Sequence, residues 1–145
     1  MSHEERLIKA IIDREPCDFS SASADDSLEN SSTWGPERTI SAHLLRRIML
    51  EDVDANSSSA QSLVIIGACI AGSLDFDANS FARSFYFEKC VFLDTVNFSD
   101  AQLQTISFED CLINEEFDFA RARVARSINF DGELAPVVWT APRWI

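Results

Sequence analysis

Residues 62 to 134 read SLVIIGACIAG, SLDFDANSFAR, SFYFEKCVFLD, TVNFSDAQLQ, TISFEDCLINE, EFDFARARVAR and SINFDGEL when broken into units of eleven residues, with one unit of ten. The fourth place of each unit is Ile65, Phe76, Phe87, Phe98, Phe108, Phe119 or Phe130, and the ninth is Ile70, Phe81, Phe92, Leu103, Ile113 or Val124. Large apolar residues thus recur every five or six positions. A helix asks for spacings of three and four and a half-buried strand for alternation, so neither period accounts for this run. A square coil does: each step of five or six residues forms one side, four sides make a turn of about 21 or 22 residues, and coils lie one strand spacing, about 4.8 Å, apart.

Second positions (Leu63, Leu74, Phe85, Val96, Ile106, Phe117, Ile128) and seventh positions (Ala68, Asn79, Cys90, Ala101, Cys111, Ala122, Glu133) stand two residues before the central ones and face inward with them. Like then stacks on like. Phe87, Phe108 and Phe130 form one column, Phe76, Phe98 and Phe119 the opposite one, and Ala68, Cys90 and Cys111 a ladder of small residues. Burying a Phe contributes roughly 1.5–3 kcal/mol, so these columns supply the core.

With small-x-large steps such as Ala101-Gln-Leu103, Cys90-Val-Phe92 and Cys111-Leu-Ile113, the chain resembles the pentapeptide-repeat family over about half its length. The resemblance implies a right-handed quadrilateral β-helix, here a short, mainly β solenoid of about three coils. The sequence departs from the family pattern in placing Leu, Ile, Val or Phe where every second side should carry a small residue, and in alternating six-residue with five-residue steps, which predicts bulged corners.

The flanks divide the rest. Residues 1–61 are expected to form a helical cap, 62–134 the solenoid and 135–145 an apolar tail. Residues 4–14 carry Leu7, Ile8, Ile11 and Ile12 at helical spacing; residues 37–52 carry Ile40, Leu44, Leu45 and Ile48 with Arg46 and Arg47 on another face, predicting a helix over the first coil. Between them, Cys17 to Ser32 is dominated by Ser, Asp, Ala and Asn, which predicts a mobile loop. Trp34-Gly35 with Arg38, Ile40, Ala42 and Leu45 resembles the segment preceding the solenoid in some bacterial proteins of this repeat class. The tail's Val137, Val138, Trp139, Trp144 and Ile145 are too apolar to be left in water. They form a plug over the last coil or a homodimer interface; pairing through the C-terminal end is what the family resemblance implies.

A formal charge of −12 opposes direct binding to nucleic acid and favours a protein partner with a basic surface. No stretch approaches a membrane span, and Met1 to Arg6 lead into no apolar signal region, so a cytoplasmic protein with reduced Cys17, Cys69, Cys90 and Cys111 is expected. The two histidines, His3 and His43, have no catalytic companions, four glycines make a phosphate loop implausible, and no metal-ligand spacing appears. We therefore expect no catalytic residues, no cofactor and no enzyme.

Outward positions suggest two acidic ladders as partner-binding candidates: Glu88, Glu109 and Asp131 with Asp110 beside them, and Asp75, Asp77 and Asp118 on the opposite side. Lys89, Arg121, Arg123 and Arg126 are available to offset them. The leading expectation is a protein-interaction or scaffolding module. The alternatives are an acidic mimic of DNA that occupies a DNA-binding enzyme such as a type II topoisomerase, which the resemblance implies, or an immunity or antitoxin protein. Three coils span only about 15 Å, so the mimic needs end-to-end dimerisation.

Overall fold

Apolar residues at the middle of each side, and two positions before it, leave the backbone two jobs: extended segments that stack, and sharp corners between them. The computed structural model describes residues 2–20, 34–50, 62–81, 83–131, 138–140 and 143–144. Strands are short and all their pairings are parallel. The first coil holds β3 (Leu63–Ile66), β4 (Cys69–Ala71) and β5 (Leu74–Asp75), with a single bridge from Ser80 to Gln102 on its fourth side. The second holds β6 (Phe85–Glu88), β7 (Val91–Phe92) and β8 (Val96–Asn97). Then β9 (Gln102–Glu109) rounds the fourth corner, β10 (Leu112–Ile113) and β11 (Glu116–Asp118) follow, and β12 (Arg123–Asp131) rounds that corner again. The protein is mainly β, a parallel solenoid of about three coils, as expected from the repeat.

The register follows the repeat: Leu63, Phe85, Ile106 and Ile128 stack at steps of 22, 21 and 22 residues. The short step is the ten-residue unit. There β9 passes the fourth corner with one residue fewer than β12, whose register shifts between Val124 and Ser127 as a bulge. Every central position is buried except Phe130, which is partly so. Phe76, Phe98 and Phe119 stack with centroids 4.9 and 5.1 Å apart, and Phe87, Phe108 and Phe130 at 5.4 and 5.5 Å.

Two opposite corners turn through left-handed residues. Gly67, Lys89 and Asp110 occupy one, at φ of 70°, 52° and 51°; Ala78, Asp100 and Arg121 occupy the other, at 59°, 57° and 57°. An L-residue there costs roughly 1–2 kcal/mol. Ala78 is exposed and gains nothing for its methyl group. Ala78→Gly should therefore raise stability by about 0.5 kcal/mol after the added chain entropy of glycine is subtracted, read as a higher urea midpoint at unchanged slope.

The N-terminal region holds the two expected helices and adds two short strands to them. Helix α1 (His3–Asp13) begins at a Ser2/Glu5 capping box and buries Leu7, Ala10 and Ile11, while Ile12 is 47% exposed. Cys17 and Asp18 then form β1, which pairs with β3, and Thr39–Ser41 form β2, which pairs with β4 after a 3₁₀ turn at Pro36–Arg38. Ile40, expected in a helix, aligns instead with Ile70 because the open edge of β4 captures the β-branched pair Thr39-Ile40. Helix α2 is consequently shorter, Ala42–Leu50, with the Ser41 hydroxyl accepting from the Leu44 amide. Together β1 and β2 form half a coil ahead of the first.

Edge carbonyls facing the N-terminal end are closed by this half-coil. The Phe19 amide donates to Ile66, Arg38 donates through Nε and Nη2 to Gly67, and Arg46 Nε donates to Asp75. Such closure removes the template for edge-to-edge association. An Arg47–Glu4 ion pair at 2.6 Å ties α2 to α1.

At the other end, Val138–Thr140 (β13) pairs with β11 and Arg143–Trp144 (β14) pairs with β12, aligning Trp139 with Phe117 and Trp144 with Val124. Strand pairing thus runs past residue 134 into the tail. Val137 and Ile145 lie outside the described residues, as do 21–33 of the expected loop.

Candidate functional site

Alternation along β3, β6, β9 and β12 decides what their shared sheet shows to solvent. Leu63 and Ile65 and their partners point in, so two rows remain outside: Val64, Tyr86, Ser107 and Asn129, and beside it Ile66, Glu88 and Glu109, with the backbone of Asp131 next in register. The expected register of Glu88, Glu109 and Asp131 is therefore present. Val64, Ile66, Tyr86 and Glu88 are half-buried and Glu109 is exposed. A shallow groove crosses this side, lined by Ser62, Val64, Tyr86, Phe87, Glu88, Ser107 and Glu109. Asp110 occupies the adjoining left-handed corner, half-buried, one position on from Glu109. Among the described residues neither Glu88 nor Glu109 forms an ion pair.

The second acidic ladder has a local task. Asp75 Oδ1 accepts from the Asp77 amide at 3.1 Å, Asn97 Oδ1 from Ser99 at 2.9 Å, and Asp118 Oδ1 from Ala120 at 2.8 Å. Each is an Asx turn feeding the left-handed residue that rounds the corner. Coils are cross-linked as well: Asn97 Nδ2 donates to Asp75 Oδ1, and Ser99 Oγ donates to Asp77 Oδ1 at 3.0 Å. In register Asn97 separates Asp75 from Asp118, so these two carboxylates are not neighbours. Corner geometry explains this row without a partner.

Of the arginines expected to offset the acids, Arg121 does so at Asp100 rather than on the groove side, with Nε 2.9 Å from Oδ1 and Nη2 3.0 Å from Oδ2. Arg123 and Arg126 are exposed and form no ion pair among the described residues. Lys89, exposed at the corner next to Glu88, forms no ion pair among the described residues either.

His3 is a fixture of the cap, its Nε2 3.1 Å from the Glu37 carbonyl and its ring edge-on to Phe19; His43 is exposed on α2. No group of three or more His, Cys, Asp or Glu side chains among the described residues is placed to hold a metal ion. None of the described helices is long and apolar enough to cross a membrane.

The cysteines are buried free thiols. Cys90 Sγ donates to the Ile65 carbonyl at 3.4 Å and Cys111 Sγ to that of Phe87 at 3.3 Å, each linking a coil to the one before. Contact with the Cys90 thiol and burial push Cys111 far above the ordinary thiol value, and burial pushes Cys17 and Cys69 up. The reactive thiolate is thereby suppressed. Iodoacetamide should label the native protein slowly and the urea-unfolded chain rapidly, counted by mass. Because the folded state holds these protons more tightly, stability should fall as pH rises above about 8.5, where unfolded thiols ionise. Cys111→Ala should flatten that decline, measured as urea midpoints from pH 7 to 10.

The acids beside the groove were legible in the sequence, but the apolar half of the site was not singled out. Its signal was present: Val64, Ile66 and Tyr86 occupy outward places that Asp75, Asp77, Asn97 and Asp118 fill on another side. No protein-family model matches the chain, and searches of curated proteins and of solved structures also returned no match.

Proposed function

We infer that this chain is a pentapeptide-repeat-type solenoid acting as a non-enzymatic protein-interaction or scaffolding module in the cytoplasm, and that its partner presents a basic surface. One observation carries the reading: Glu88 and Glu109 stack on one side, beside a groove, with Asp131 next in backbone register and no cation paired to either glutamate among the described residues. Like charges on adjacent strands oppose folding, so an approaching cationic surface relieves a repulsion and gains steering at once. The DNA-mimic reading uses the same acids, but a row of three covers only about 10 Å, short of an extended duplex surface. The immunity or antitoxin reading differs in the partner's identity and not in its chemistry.

A photo-crosslinking residue tests the reading when placed at Ser107, in the groove, and in a second protein at Asn114, exposed on a different side. Expressed in its host, the Ser107 protein should capture a partner whose crosslinked segment, sequenced by mass spectrometry, is rich in Lys or Arg. Capture should weaken as salt rises. Equal capture from both positions, or a captured segment without basic residues, would overturn it.

A further inference from the structure

The groove side carries two rows running along the solenoid axis, and their chemistry differs. Val64 and Tyr86 form an apolar strip with Ser107, and Glu88 and Glu109 an anionic strip two residues further along each strand. Ile66 heads the anionic strip at the capped end. Any occupant must therefore be amphipathic across a width of about 7 Å and repeat at the coil spacing of about 4.8 Å along the axis.

We propose that this side docks an amphipathic, basic α-helix of a partner protein, laid along the solenoid axis with its apolar stripe on Val64 and Tyr86 and its Lys or Arg residues over Glu88 and Glu109. The inference rests on the protein-interaction reading and specifies its partner. Spacing selects the helix over an extended strand. Helix residues three and four apart are neighbours about 5–6 Å from one another, and seven residues rise about 10.5 Å, close to the roughly 9.6 Å covered by two coil steps. Same-face residues of an extended strand repeat at about 6.8 Å and slip out of step with the coils at once. Tyr86, within the apolar strip, adds an aromatic ring on which a guanidinium can pack. The carboxylates set orientation and encounter rate, while the apolar strip supplies the contact area.

The test uses the full chain and two synthetic peptides of about 15 residues, identical in composition. One places leucines on a single helical face with arginines flanking them; the other is a scramble without helical periodicity. The periodic peptide should bind at least tenfold more tightly by calorimetry and gain helical circular dichroism on binding. Glu88→Gln/Glu109→Gln and, separately, Tyr86→Ser should each weaken it about tenfold. Glu115→Gln/Glu116→Gln removes the same charge from exposed positions off this side and should change affinity less than twofold. Melting curves confirm that each variant is folded, and the Gln pair, being nearly isosteric, keeps the test valid if Tyr86→Ser is unstable. Equal affinity for the two peptides, or equal loss in the control variant, would show attraction by net charge alone and overturn the proposal. A basic but non-helical segment captured at Ser107 would remove the helix and leave the interaction module. Failure of both experiments would remove the side itself.

Discussion

Phe108→Ala should destabilise the protein by about 3–5 kcal/mol. Phe108 is fully buried and stands where the columns converge, with ring centroids 5.4 Å from Phe87, 5.6 Å from Phe92, 4.8 Å from Phe117 and 5.5 Å from Phe130. Truncation opens a cavity the size of a ring, and stacked strands on all sides limit its collapse. A loss of this size is a large share of the roughly 5–15 kcal/mol that holds a typical domain. Because each coil touches only its neighbours, the cavity also interrupts coupling between coils. Urea unfolding followed by circular dichroism should show an earlier midpoint and a shallower or two-step transition. A loss of unfolding free energy under about 1 kcal/mol would mean that the Phe columns are not the source of cohesion.

The second large effect is expected at Arg38. Its side chain is 2% exposed, donates twice to the Gly67 carbonyl at 3.0 and 2.8 Å, and lies 3.6 Å from the centroid of Trp34. Gly67 is a left-handed corner whose missing Cβ would come within 3.1 Å of Arg38 Nη2, so corner and guanidinium are fitted to one another. Arg38→Met should cost about 3 kcal/mol, from the charge-assisted bonds lost and the buried carbonyl stranded. Arg38→Lys should recover less than half, because an ammonium cannot reproduce the forked, stacked geometry. Hydrogen exchange should locate the damage: amides bonded across the cap, such as Phe19 to Ile66, should exchange early while Phe98 to Asp118 stays protected. Uniform loss along the solenoid would show that the cap is no separate unit.

These two residues mark the limits of what the sequence conveyed. Phe108 was legible because inward positions repeat, and stacking requires the repeat in every coil; even the ten-residue unit translated directly into the 21-residue step from Phe85 to Ile106. The helices of the cap were legible too, but its strands were not, since β1 and β2 are two and three residues long and lack the repetition that identifies a side. Cys17 and Ile40 each match one inward position once, and a single match carries no period. Corners were hidden for another reason. Left-handed turns are usually announced by glycine, yet Lys89, Asp100, Asp110 and Arg121 fill them here, held by the neighbouring coils rather than by local preference. Asp75 and Asp118 illustrate the same limit: an outward acid on a strand end reads as surface charge, and only the fold shows it closing a turn.

Parallel stacking has a mechanical consequence. All ladder hydrogen bonds run along the solenoid axis, from Leu63 to Ser84, from Leu74 to Thr95 and from Phe98 to Asp118 alike. Tension applied along that axis through attachments on the first and last coils loads each layer in turn, so the rod should lengthen by peeling, one coil per event, at low force. Tension applied across a single coil must shear the bonds on both of its neighbours together. The molecule is therefore stiff in cross-section and yielding along its length, and a load-bearing partner would meet resistance only when it pulls sideways.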